Sequence, residues 1–507
     1  MSRSLLERLA ALEQSVRRPT PASGKVEPAA SAGRNTNDRA DVDADRPDTD
    51  CPDVDRTGLD QSPSSDAGDA QSGAATFTAT GLEQLGFCRE DDGLGPIWHR
   101  ELRYDILTWH GNGRFLDLLE CDLRSLMRLT VRAGETSSER VAASDPVPAV
   151  ERMRFYDTET TGLGSGAGTF PFLHAIGLVE GDEWVIHQYL LVDYTEEATL
   201  LATLHQRHFE PGTVVVSYNG RSFDWPLLLN RFVLYRLSAP TEVGQLDLMY
   251  PCRRLWKKRL GRTNLAAIEG EILGVRRIND LPGHEAPARY FEFVSTRDAA
   301  RLEPVCDHNA ADVSSLARLA AVLAETLNGG RTVETAAEYT ALARWYGEWG
   351  EYDLAEHCLA VAVGCPDAEW QAYWLRSLLL KRQQRWQEAQ EVWTEMAQQF
   401  SWAVAPLVEL AKLAEHREKD WSKAMHWTRT ALARLEKPRL GPDGHGLSSN
   451  GIRTVSALTN WRAVVAEKAP VYDDAQRARI RGQLLHRLQR LERKMRQDKH
   501  PDAQNAD

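Results

Sequence analysis

The chain has 507 residues, too many for a single core, with 42% hydrophobic and 26% charged residues and a formal net charge of −12. That balance excludes a surface coated for nucleic-acid binding. With no apolar run long enough for a bilayer and leucines near the N-terminus interrupted by Glu7, Arg8 and Glu13, it also excludes a membrane span or a signal peptide. Seven cysteines at irregular spacing, none in a CxxC pair, lead us to expect a reduced, cytoplasmic chain with neither a disulfide framework nor a zinc site.

In chain order, residues 1–17 read as a short amphipathic helix, with Leu5, Leu9, Leu12 and Val16 at helical spacing. Residues 18–76 hold twelve acidic and six basic residues and almost no large apolar ones. Such a segment cannot offset its chain entropy by burial, and we expect an acidic, disordered linker. Residues 77–150 mix Trp98, Tyr104, Trp109 and Phe115 with glycine turns and read as a small folded extension, partly β.

Residues 151–327 alternate between β and α patterns. Strands are expected at Met153–Thr158, His174–Glu180 and Glu183–Val192, the last two joined by a Gly181-Asp182 turn. A helix at Glu196–His208, a β-branched strand at Thr213–Tyr218, a helix from Asp224 and a short strand at Gln245–Met249 follow. This is the order of an α/β mixed sheet flanked by helices. Residues 335–437 are helical and repetitive: Tyr352, Trp386 and Trp421 fall in register at offsets of 34 and 35 residues, as do Ala355, Ala389 and Ala424. That period is the one of tetratricopeptide-type helix pairs, so an α-helical repeat array that binds a protein partner is expected. Residues 438–507 read as a linker and a basic C-terminal helix.

The chemistry centres on FYDTETTGLG, residues 155–164. Asp157 and Glu159 are two apart on a strand and so share a face. Two anionic groups held that close call for a cation between them. After the TVVVSY strand, Asn219 and Gly220 make a turn and Asp224 opens the next helix, at the edge of the sheet where α/β proteins build sites. Taken alone, Asp224 is better read as a helix N-cap. His308 and Asp312 are four apart on a helix, hence on one face. Four carboxylates at one sheet edge make sense if two divalent cations, about 3.5–4 Å apart, share them during phosphodiester displacement. Hard oxygen ligands favour Mg2+ or Mn2+.

DTETTG, NGRSFDWP and HNAADVSSL resemble the three motifs of the DEDD, or DnaQ-like, exonuclease superfamily of the RNase H-like fold, and within it the YprB-type RNase H-like family. The similarity covers about residues 151–327 and runs through LDLMYPCRRLWKKRLGRTNLAAIEGEILGVRR. The resemblance implies that Asp157, Glu159, Asp224 and Asp312 are metal ligands and that His308 is the general base. His308 stands four residues before Asp312, the spacing of the superfamily's tyrosine members; its histidine members usually use five. Nucleic acid, single-stranded DNA or RNA, would be the substrate. Asn219 would position it, and the basic run at residues 253–262, with Arg253, Arg254, Lys257 and Lys258, would track its backbone. The competing expectation is a scaffold that binds nucleic acid through a nuclease fold without cutting it. Retention of all four carboxylates favours the enzyme.

Overall fold

The computed structural model describes residues 80–91, 93–132, 150–162, 168–278, 280–436 and 474–499. The helix expected at residues 1–17, the linker at 18–76 and the linker expected before the C-terminal helix (438–473) lie outside these.

Among the described residues, one eight-stranded mixed sheet organises residues 80–327. Its strands are β1 (Cys88–Asp91), β2 (Pro96–Asp105), β5 (Val131–Arg132), β6 (Met153–Thr160), β7 (Pro171–Glu180), β8 (Glu183–Leu190), β9 (Val214–Ser217) and β10 (Gly244–Asp247), while β3 (Trp109–His110) and β4 (Gly113–Arg114) form a separate hairpin. The spatial order is β1-β2-β8-β7-β6-β9-β10-β5. Strand β6 runs antiparallel to β7 and parallel to β9, and both of those neighbours are buried throughout most of their length. Burial on both faces explains the almost uninterrupted apolar runs PFLHAIGLV and VVV.

The extension does not stand apart from this sheet. β2 pairs along eight residues of β8, β1 pairs with β2, and β5 pairs with β10 at the opposite edge. Its strands supply partners to N–H and C=O groups that edge strands would otherwise leave open. Sequence patterning registers short strands but not their distant partners.

Helices α1 (Glu197–His208), α2 (Asp224–Leu234), α3 (Met249–Leu260) and α4 (Ala286–Thr296) connect and cover the strands, and α5 (Glu303–Leu327) lies across β6 and β7. From there three helix pairs follow among the described residues: α6 (Ala336–Glu348) with α7 (Tyr352–Gly364), α8 (Trp370–Arg382) with α9 (Trp386–Gln399), and α10 (Ala405–Leu413) with α11 (Trp421–Glu436). The in-register aromatics Tyr352, Trp386 and Trp421 each open the second helix of a pair, and Ala355, Ala389 and Ala424 are fully buried where the helices approach. Arg382 lies 4.3 Å from the Tyr352 ring and Arg417 lies 4.5 Å from Trp386, each reaching back from the following helix pair. Among the described residues no further pair follows Trp421, and Lys494 of α12 (Asp474–Lys499) fills that role, 4.6 Å from the ring. The C-terminal helix is thus the cap of the array, and Ile480, Leu484 and Leu491 are its buried stripe.

The array is seated on the sheet domain through α3 and α6. Arg254 binds Glu348 at 2.9 Å and lies over the Trp345 ring, Arg259 binds Glu338 at 3.0 Å, and Lys258 pairs with Glu369. Arg128 of the extension reaches Glu351 at 2.7 Å.

Candidate active site

Asp157 and Glu159 leave β6 on the face that α5 covers, and a break in register between Glu159 and Thr160 ends the ladder just beyond them. Asp224 opens α2, and its Oδ1 accepts from the Thr158 hydroxyl across the strand. The turn before it is tight. A Cβ on Gly220 would lie 2.6 Å from the Ser217 side chain and 3.2 Å from the Asp224 carboxylate, so only glycine lets β9 and α2 meet here. Asn219 has φ of +65° and is exposed. The buried Asp247, which the motifs did not single out, pins the turn by accepting from the backbone N–H groups of Asn219 (2.8 Å), Arg221 (3.2 Å) and Met249 (3.0 Å).

Asp312 and His308 come from successive turns of α5, with His308 Nε2 3.8 Å from Asp312 Oδ2. Asn309, fully buried between them in sequence, donates from Nδ2 to Asp157 Oδ2 at 2.8 Å. Its orientation is dictated from a distance. Arg100 on β2 can only donate, so the Gln188 oxygen faces it at 2.6 Å. The Gln188 amide nitrogen therefore donates to the Cys306 carbonyl at 2.8 Å and to Asn309 Oδ1 at 3.1 Å, which turns the Asn309 nitrogen toward Asp157. The extension thus aims a donor at a candidate catalytic carboxylate.

The carboxylates affect one another strongly. Burial, then the charges of Asp312, Asp224 and Glu159, push the Asp157 carboxyl well above its usual range, against the opposing bond from Asn309. Burial, Asp312 and Asp224 do the same to Glu159. Asp224 is pushed up to about 6 by burial and the charges of Asp247 and Asp312, with the Thr158 bond pulling down. Among the described residues, no lysine or arginine forms an ion pair with Asp157, Glu159 or Asp224.

Arg277 also enters this site. Its guanidinium bridges Asp312 Oδ1 and Glu269 Oε1, lies 3.5 Å from Asp280 and is mostly buried. A π-helical turn over Glu269–Leu273, closed by Gly274 at φ of +66°, swings the chain so that Glu269 and Arg277 both face α5. His308 Nδ1 is 2.7 Å from Asp280 Oδ1 and 3.1 Å from Arg277. Asp280 can only accept and Arg277 can only donate, so one Nδ1 cannot satisfy both. The shorter contact favours a proton on Nδ1, which leaves the Nε2 lone pair toward Asp312. His308 and Arg277 hold Asp280 below its ordinary range although burial pushes it up.

Oxygen donors of this kind, anionic, buried and mutually repelling, suit a hard divalent cation. As the side chains stand, no three His, Cys, Asp or Glu among the described residues are drawn together tightly enough to hold one, and Asp312 faces Arg277.

Residues 154–324 match the family model RNase_H_2 of the RNase_H superfamily. The chain is also 35% identical over 340 residues to the uncharacterized protein YprB of Bacillus subtilis (strain 168), a match covering 66% of this chain and 80% of YprB. The chain belongs to the YprB family. The YprB match is longer than the RNase H-like region, so it takes in sequence outside that region as well.

Not every substrate-binding expectation fits. Arg254 and Lys258 are spent on Glu348, Trp345 and Glu369, so this part of the basic run builds the seam with the array rather than an open groove. Arg253 and Lys257 are exposed on the same helix. The array's acidic residues lie roughly 80 to 110 positions further along the chain, so no local pattern in the basic run reveals its partners. No helix among the described residues is long and apolar enough to cross a membrane.

Proposed function

We propose that the chain is a metal-dependent nuclease, a 3′–5′ exonuclease of the DEDD type acting on single-stranded nucleic acid, with a tetratricopeptide-type array that binds a protein partner. The observation that carries this reading is the convergence of Asp157, Glu159, Asp224 and Asp312 from one strand and two helices, close enough that each of the first three is shifted by the charge of others. Buried like charges on this scale destabilise a fold unless they serve a cation.

These four carboxylates would hold Mg2+ or Mn2+, which would lower the pKa of an attacking water and stabilise charge at the leaving oxygen. Asp280 orients the His308 ring by accepting from Nδ1, and Nε2 takes the proton of the attacking water. Asn309 fixes the rotamer of Asp157, and Thr158 fixes that of Asp224. Asn219 guides the substrate strand at the turn after β9, with Arg253 and Lys257 contacting its phosphates.

The test is degradation of end-labelled single-stranded DNA and RNA by the purified protein with Mn2+. Asp157→Ala and Asp312→Ala lower the rate on the order of 10³-fold or more. Activity surviving both substitutions refutes the mechanism, and binding without cleavage by the wild type would make the chain a nucleic-acid scaffold. His308→Ala slows turnover with little change in Mn2+ affinity.

A further inference from the structure

We propose that Arg277 is a displaceable counter-cation: it holds Asp312 while the site lacks metal, and it gives that carboxylate up as nucleic-acid phosphate and a divalent cation enter together. The inference rests on the nuclease reading above and concerns how that site is loaded.

Three observations carry it. One terminal nitrogen of Arg277 engages Asp312 Oδ1 and Glu269 Oε1 at once, so a proposed metal ligand already has a cation on the oxygen it would offer. The other terminal nitrogen stands 3.1 Å from His308 Nδ1 and 3.5 Å from Asp280, which places the same guanidinium against the proposed base and its orienting acid. The third observation is an unmet donor: Arg277 Nε is buried without a hydrogen-bond partner among the described residues. A guanidinium so placed is bonded on one flank and unpartnered on another.

The consequence follows from charge. A divalent ion drawn to Asp157, Glu159 and Asp224 needs Asp312 as well, and close beside Arg277 it meets a fixed positive charge in a medium that screens poorly. The guanidinium must turn away, and a buried arginine leaves one anion only for another. The phosphodiester of an entering strand is that anion, and the planar fork of arginine suits it. Metal and nucleic acid therefore each favour the binding of the other through Arg277, beyond any bond between metal and phosphate. Glu269, itself tied to Ser315 of α5, keeps the segment docked while the fork moves.

The experiment is Mn2+ titration calorimetry on the full chain, alone and with a short single-stranded phosphorothioate oligonucleotide that resists cleavage. In Arg277→Gln, Mn2+ binds about tenfold more tightly than in the wild type without oligonucleotide, and the further gain on adding oligonucleotide shrinks by a similar factor. Arg277→Lys keeps a point charge but not the fork, and shows a smaller tightening. Thermal melts identify the variants that fold. If no folded Arg277 variant binds Mn2+ more tightly than the wild type, while the wild type binds it and Asp157→Asn does not, the proposal is overturned. Failure of the nuclease reading looks different: the wild type then binds no Mn2+, or Asp157→Asn binds it equally well.

Discussion

Among the buried carboxylates of this molecule, two clusters are treated in opposite ways. Glu415, in a π-helical turn between α10 and α11, is fully buried, and three cations of the capping helix converge on it: Arg487 at 2.6 Å, Arg490 at 2.7 Å and Lys494 at 3.1 Å. Burial would raise its pKa, but the bonds from Arg490 and Lys494 and the charge of Arg487 hold it at about 2. Asp157, Glu159 and Asp224 are crowded against one another instead, and their affinity for protons rises. One cluster is complete within the chain and fastens two elements together. The other is left short of positive charge, as a site for an external cation must be, and Arg277 neutralises only its edge.

Breaking the complete cluster has the largest effect on stability. Glu415→Gln leaves three cations facing a neutral amide, and we expect a loss of about 3 kcal/mol, read by chemical denaturation. The pH dependence has a definite sign. The folded pKa of Glu415 lies below its ordinary 4.5, so its contribution is present above that value and disappears as pH falls toward about 2. The wild type loses cap stability across this window and Glu415→Gln does not. The proposed nuclease activity is unchanged under folded conditions, because Glu415 packs on α10, α11 and α12. A Glu415→Gln protein as stable as the wild type would dissolve the contrast.

The second effect lies at the open cluster. Asn309→Ala removes the donor that Arg100 and Gln188 orient toward Asp157, and we expect a ten- to hundredfold loss of activity or metal affinity, on the order found for residues that steady metal ligands. Arg100→Ala acts through two intermediaries and costs less. Equal rates in Asn309→Ala and wild type would mean that Asp157 needs no such support.

These distinctions also mark what the sequence could say. DTETTG carries its own geometry, since a spacing of two on a strand puts both acids on one face, and HNAAD does the same for a helix. The 34- and 35-residue offsets likewise disclose the helix pairs, because small and aromatic residues recur wherever the same contact recurs. Arg277 was out of reach for a physical reason: it enters the site only because a π-helical turn and Gly274 redirect the chain. The basic run misled for a related one. Six positive charges in ten residues suggest a nucleic-acid groove, but the carboxylates Glu338, Glu348 and Glu369 that receive three of them come from the array. Local patterns reveal faces and periods; they do not reveal which distant charge a surface meets. Arg100 hides in the same way, one strand and two amides away from the acid it serves.

The smallest effect is the most direct comparison of the two clusters. In metal-free protein, Asp224 has a folded pKa of about 6 against an ordinary 3.8, the reverse of Glu415. A raised carboxyl contributes stability that is fully present below its unfolded pKa and is lost as pH rises through the folded one. The window is therefore about 3.8 to 6, and above it the ionised Asp224 strains the site. Asp224→Asn keeps the size of the side chain and removes that charge. In EDTA near neutral pH it melts a few degrees above the wild type, and the difference vanishes as pH is lowered through the window. Adding Mn2+ reverses the order, because only the wild type gains from the cation. A variant that melts lower than the wild type in EDTA at every pH would show that Asp224 is paid for locally, by Thr158 and the turn, and that the open cluster is as self-sufficient as Glu415.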